Sequence, residues 1–157
     1  MEAKRATLDD AERVKEIMIH PKVYPWIIDD GSPTSEDFDS AVFLRSEAIY
    51  TLMPNYNSLA IFVPVNSFTY DQHTCVLPES RGVTTQLGRA VWRYMFERTK
   101  CEKITTWIPV FNRPALAAAL AVGFEKEGLV TSSFKRKGKL YDQFILGITK
   151  EKWLCQQ

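Results

Sequence analysis

The stretch from Cys75 to Phe124 constrains this chain most. A β-type segment ends at Leu77, and the turn Glu79-Ser80-Arg81-Gly82-Val83-Thr84 follows. Leu87, Ala90, Val91, Tyr94 and Met95 then recur at helical spacing, which predicts an amphipathic helix from about Thr84 to Thr99. Lys103 to Val110 alternates like a strand, with Ile104, Thr106, Ile108 and Val110 on one face. Asn112 and Pro114 open an alanine-rich helix, and Gly123 is placed to stop it. The order describes a turn that opens a helix, where anionic groups can bind, followed by a wedge of two strands.

The flanking sequence fills in an α+β domain. Lys4 to Thr7 reads as a short strand. Thr7 then caps a helix carrying Leu8, Ala11, Val14, Ile17 and Met18, which Pro21 ends. His20 to Asp39 is rich in Pro, Gly, Asp and Ser and reads as a long loop with a short helix near Ser35 to Phe38. From Ala41 to Leu77 the pattern is mostly strand. Ile49 to Met53, Leu59 to Val65 and Phe68 to Leu77 are divided by turns at Pro54-Asn55-Tyr56-Asn57 and Asn66-Ser67. A closing hairpin, about Gly128 to Phe134 and Leu140 to Thr149, turns at Lys137-Gly138. The expected architecture is one domain over residues 1–157, with a mostly antiparallel sheet of six or seven strands and helices on both faces.

Composition excludes several function classes. With 157 residues, 45% hydrophobic and 25% charged, the chain can bury a core without a disulfide or metal staple. A net charge of +1 gives no global reason to expect nucleic acid or an anionic membrane as partner. Cys75, Cys101 and Cys155 are widely spaced and form no zinc pattern, so they read as reduced thiols. The first residues lack the apolar run of a signal peptide, and no stretch is apolar enough to span a bilayer. The expectation is a soluble cytoplasmic protein without a metal, in the host cytoplasm if phage-encoded.

Individual residues carry the chemistry. A helix N-terminus offers free N–H groups and partial positive charge, and Gly82 lets a ligand approach the backbone. Such a turn can cradle a pyrophosphate, with Arg81 adding a charge-assisted contact; it equally reads as a plain strand-to-helix connection. Asp71 and His73 fall on one face of their strand by alternation, with Glu79 at its end. Histidine titrates near neutrality and suits a general base, and equally fits a hydrogen-bonded sheet position. Trp26, Asp29 and Asp30 combine an aromatic with paired carboxylates that would suit a cationic amine, or would cap a turn. The hairpin tip Lys135-Arg136-Lys137-Gly138-Lys139 is a local basic cluster. Phe62, Trp107 and Trp153 form either a homodimer face or the core.

The element order, the Arg81-Gly82 turn and the pattern Asn112-x-x-Ala115 followed after seven residues by Gly123-Phe124 resemble the GNAT superfamily of acyl-CoA-dependent N-acyltransferases. The turn fits the family's Q/R-x-x-G-x-G/A pattern in two registers, each with fewer glycines. The resemblance implies a splayed strand pair with acetyl-CoA in the wedge. It assigns cofactor contacts to Cys75, Val76, Leu77, Arg81, Gly82, Val83, Thr84, Thr85 and Asn112. His73 and Asp71 become the catalytic pair, and Trp26, Asp29 and Asp30 the acceptor site for an amine of a small molecule or protein. Many members protonate the departing thiolate with a Tyr seven residues after the Asn; here that position is Ala119. The alternative reading is a weak or inactive GNAT-like module that binds CoA or a protein partner. Within the superfamily the chain is most similar to small phage and prophage proteins. His20-Pro21, Asp29-Asp30-Gly31, His73 before Leu77-Pro78, Asn112-Arg113-Pro114-Ala115 and Tyr141-Asp142 carry that likeness.

Overall fold

Seven strands form one sheet in the order β1-β2-β3-β4-β5-β7-β6. The structure is a computed structural model and describes residues 2–53 and 57–156. The part of the expected first turn at Pro54, Asn55 and Tyr56 lies outside the described residues. The strands are β1 (Lys4–Arg5), β2 (Ile49–Met53), β3 (Ser58–Pro64), β4 (Thr69–Val76), β5 (Lys103–Pro109), β6 (Glu125–Arg136) and β7 (Lys139–Thr149). All neighbours run antiparallel except β4 and β5. The helices are α1 (Ala11–Met18), α2 (Tyr24–Ile27), α3 (Ser40–Leu44), α4 (Thr84–Arg98), α5 (Arg113–Val122) and α6 (Lys150–Leu154).

The sheet separates two cores, as strand alternation requires when both faces are covered. On one face Phe62, Tyr70, Ile104, Leu146 and Ile148 pack with Trp92, Met95 and Phe96 of α4 and Trp153 of α6. On the other, Tyr50, Leu52, Leu59, Ile61 and Cys75 pack with Val14, Ile17 and Met18 of α1 and with Phe38. All five residues of β2 are buried, so this strand is covered on both sides. Phe62 and Trp153 therefore belong to the core, and of the three aromatics suggested as a dimer face Trp107 is the exposed one.

Helix α4 matches its predicted span but buries a wider face than the predicted stripe, because Trp92 and Phe96 are also inside. Each large apolar side chain buried here contributes roughly 2–3 kcal/mol. The Trp92 ring meets Phe124 edge-on at 4.7 Å, which gives the Gly123-Phe124 pair its structural role. Gly123, at φ 126°, ends α5 in a backbone conformation that favours glycine.

The segment between α1 and β2 departs most from expectation. Ser35 to Asp37 is a turn, and the short helix is α3, displaced toward the C-terminus into residues expected to begin a strand. Asp39 decides this, since its carboxylate accepts the N–H groups of Ala41 at 2.9 Å and Val42 at 3.4 Å. Helix α2 lies within the predicted loop, with Pro25 in its first turn. Leu8 sits in a 3-10 turn before α1 and is exposed, so it leaves the predicted stripe. There Asp10 accepts the backbone N–H of Thr7 at 3.0 Å, the return bond of a capping box. No helix among the described residues is long and apolar enough to cross a membrane.

Candidate functional site

Strands β4 and β5 pair only from Thr69–Lys103 to Asp71–Thr105. Beyond that point β4 stays with β3 as far as Val76, and β5 stays with β7 as far as Pro109. The sheet thus divides into two halves, and the expected splayed pair is present. The facing edges of 72–76 and 106–109 have no strand partner among the described residues, which leaves backbone donors and acceptors open to a ligand.

The fork is pinned by side chains. The Thr106 hydroxyl donates to the Gln72 carbonyl at 2.9 Å. The Gln72 side chain accepts from Trp92 Nε1 at 2.8 Å and donates to the Thr74 hydroxyl at 2.9 Å. Gln72 is buried, so these partners remove the cost of an unsatisfied amide and tie β4 to α4. A polar residue at an inward position of a β-type run was the one sequence signal that could have identified Gln72.

A groove of about 740 Å³ runs through the fork. It is lined by Gln72, Thr74, Thr106 and Ile108 of the forked strands, by residues of α4 and α5, and by Trp26 of α2 and Phe134 of β6. Gly88 lets the two helices meet, because a Cβ there would lie 2.7 Å from Val122. Asn112 caps α5, its side chain accepting the Ala115 N–H at 3.3 Å, and it also lines the groove. Ala119 lines the groove too, with no hydroxyl to offer.

The turn before α4 is wound into a 3-10 helix, Pro78–Val83, rather than left as an open loop. Pro78 fixes the first φ, a single glycine gives little freedom, and the Thr84 hydroxyl closes on the Arg81 carbonyl at 2.6 Å. Arg81 lines the groove while donating to the Lys22 carbonyl at 2.9 Å. Glu79 accepts from the Asn57 amide at 2.8 Å. The space beside Gly82 is open, with nothing within 4 Å of where a Cβ would stand.

The residues singled out from sequence divide by position. Val76, Arg81, Thr84 and Asn112 line the groove. Cys75 and Leu77 point into the core on the opposite face, and burial pushes the Cys75 thiol up to about 12. Gly82, Val83 and Thr85 flank the groove without lining it. His73 lines it, and Asp71 stands behind, with His73 Nε2 3.2 Å from Asp71 Oδ2. The Thr105 hydroxyl donates to the other Asp71 oxygen at 3.1 Å. His73 is 54% exposed and Asp71 16%, so the imidazole reaches solvent while its partner is sheltered.

Trp26 and Asp29 line the groove but Asp30 does not. Asp30 holds the β6–β7 hairpin instead, accepting the N–H groups of Lys137 at 2.6 Å and Gly138 at 2.8 Å. Those bonds, Gly138's first, hold its carboxyl below the ordinary carboxylate range. Asp29 accepts from the Gly31 N–H and the Ser32 hydroxyl, both at 2.9 Å. Among the described residues no group of three or more His, Cys, Asp or Glu is placed to hold a metal ion.

This arrangement, a sheet forked between its fourth and fifth strands with a groove through the fork, is the fold of the GNAT acetyltransferases. Spermidine N-acetyltransferase from Vibrio cholerae, solved in complex with CoA and spermine, superposes with a TM-score of 0.76 at 15% identity, over 97% of this chain and 96% of that one. A GNAT-family acetyltransferase from Bacillus anthracis superposes with a TM-score of 0.72 at 19% identity, over 95% and 94%. In sequence, the chain is similar to an uncharacterized N-acetyltransferase, YokL, derived from the SPbeta prophage of Bacillus subtilis. That match is 29% identical over 73 residues, 46% of this chain and 41% of that protein. It is also similar to Protein gp14 of Salmonella phage P22, 24% identical over 80 residues, 51% of this chain and 53% of that one. The chain spans about half the length of these curated relatives. No protein-family model matches it.

Proposed function

We propose that this chain is an N-acetyltransferase that moves an acetyl group from acetyl-CoA to an amine, within one domain over residues 1–157. The observation that carries the reading is the fork itself: unpartnered strand edges over a groove, with the His73–Asp71 pair on its wall. The GNAT fold, the CoA held by the Vibrio cholerae neighbour and the N-acetyltransferase relative from a prophage support it. That both curated relatives come from a phage or a prophage supports a phage-derived origin.

In this reading the edge of 72–76 receives the pantetheine arm, and backbone N–H groups there stabilise the oxyanion of the tetrahedral intermediate. Asn112 borders the arm, and Arg81, the space at Gly82 and the start of α4 receive the phosphates. The amine attacks the thioester carbonyl, and His73 takes its proton directly or through a water. Asp71 stands beside the imidazole, and the Thr105 hydroxyl holds the Asp71 carboxylate. Cys75 is buried in the core on the face away from the groove, so in this reading the acetyl group passes directly to the amine. The intermediate collapses and expels CoA as a thiolate. A thiol of ordinary acidity, about 8.5, leaves without a side-chain acid, though an acid would speed the step.

Ala119 favours one second reading, a module that binds CoA and transfers slowly or not at all. Titration with acetyl-CoA by calorimetry, followed by an amine screen that detects released thiol, separates the two. Micromolar binding with amine-dependent thiol release is the expected result. Binding without release selects the second reading, and no binding at millimolar acetyl-CoA removes both.

A further inference from the structure

The β6–β7 hairpin tip beside the groove presents cations that no carboxylate pairs among the described residues. Of the paired aspartates that in sequence suit a cationic amine, Asp30 is taken up by the hairpin, while Asp29 lines the groove with one oxygen bonded to its own turn. Both oxygens of Asp30 accept backbone N–H groups of the hairpin, and Asp30 N–H donates to the Lys135 carbonyl at 3.1 Å. Asp29 is tied to its own turn by Gly31 and Ser32. This latch brings the hairpin tip toward α2, and the Arg136 guanidinium lies near two aromatic rings. Its guanidinium carbon lies 5.6 Å from the Trp26 centroid and 5.3 Å from that of Phe111. Phe111 is itself braced edge-on by Tyr141 at 4.8 Å and Phe134 at 5.9 Å.

Arg136 has no carboxylate within ion-pair distance among the described residues, and neither do Lys135, Lys137 or Lys139 beside it. A guanidinium packed beside two rings gives up side-chain freedom. Its donors remain for an oxyanion, and arginine binds a carboxylate by two parallel bonds. Trp26 and Phe134, which line the groove, connect this cation to the fork where His73 stands.

We infer that the acceptor is an amine whose own molecule carries a carboxylate, and that Arg136 binds this carboxylate while the amine reaches toward His73. The inference rests on the acetyl-transfer reading and narrows its substrate class away from polyamines. A matched panel tests it: γ-aminobutyrate against its carboxamide, the C-terminally amidated peptide Ser-Asp-Glu against amidated Ser-Asn-Gln, and spermidine, each with the wild-type chain and with Arg136→Gln. The expected result is a kcat/KM for at least one acid about tenfold or more above its neutral partner. That preference shrinks as salt rises. Arg136→Gln removes it, with acetyl-CoA affinity retained by calorimetry. Preference for the peptide over the amino acid identifies an acidic chain terminus as the source of the carboxylate, and the reverse identifies a small amino acid. Faster turnover of spermidine or the neutral amides overturns the inference and leaves acetyl transfer standing. So does an acid preference that Arg136→Gln leaves unchanged. Acetyl-CoA binding with no amine acetylated overturns both.

Discussion

The hydroxyl of Thr106 meets the carbonyl of Gln72 at 2.9 Å, one residue beyond Asp71 and Thr105, the last pair of the β4–β5 ladder. A side chain thus takes over where the backbone ladder stops. Thr106→Val keeps the shape and removes the donor, leaving a half-buried carbonyl without its partner. It is expected to lower stability by about 1 kcal/mol and to weaken acetyl-CoA binding by loosening the fork. Thermal unfolding and calorimetry check the two effects; an unchanged Tm would show that the fork holds without this bond.

Gly82 offers a clean separation of binding from folding. A Cβ there meets nothing within 4 Å, so Gly82→Glu fits without displacing protein atoms. The added carboxylate stands where the proposed phosphates sit. The variant is expected to keep its Tm within about 2 °C and to lose acetyl-CoA binding. Retained affinity would move the phosphates elsewhere.

His73→Asn is expected to lower kcat by roughly 10²–10⁴ while leaving acetyl-CoA affinity unchanged, as for a base removed from a standing site. Thr105→Val, one bond further back, is expected to lower kcat by a smaller factor. A kcat unchanged in both variants would return His73 to a structural position on the sheet.

The Asp30 latch has a pH sign. The Gly138 and Lys137 bonds hold its carboxyl below its ordinary value in the fold. The latch therefore contributes fully above the ordinary carboxylate value of about 3.9 and is lost as pH falls through the lower folded value. Asp30→Ala is expected to speed hydrogen exchange at the Lys137 and Gly138 amides near neutral pH. It should also abolish the fall in protection factor at these amides that is expected of the wild type as pH drops through the folded Asp30 value. Equal protection in both proteins would mean that the Arg136 packing alone holds the hairpin.

Much of the fold was legible because it rests on local patterns. The α4 span, the strands from Ile49 to Val76, the Asn112 cap and the Lys137-Gly138 turn follow from periodicity and from residues with one strong backbone preference. The region of residues 20–44 was misread because short helices depend on caps and on what they pack against. Asp39 outweighed the β-like run at Ala41, and α2 formed inside a loop. Helix α6 was missed for a related reason: it is short and is held by Trp153 against Phe96, 5.2 Å between ring centroids.

The sequence by itself determined the order of the strands and of α1, α4 and α5, the face shared by Asp71 and His73 and the glycine at the turn, because each follows from spacing along one segment. Only the tertiary structure decided which groups meet across segments. It wound the Pro78–Val83 turn into a 3-10 helix, joined Gln72 to Trp92 and Thr106, and spent Asp30 on the hairpin while setting Arg136 near Trp26 and Phe111. Charge beside the groove is a balance among residues more than 100 positions apart, as Asp30 and Lys137 are, and no local pattern encodes which of them remain free once the chain has packed.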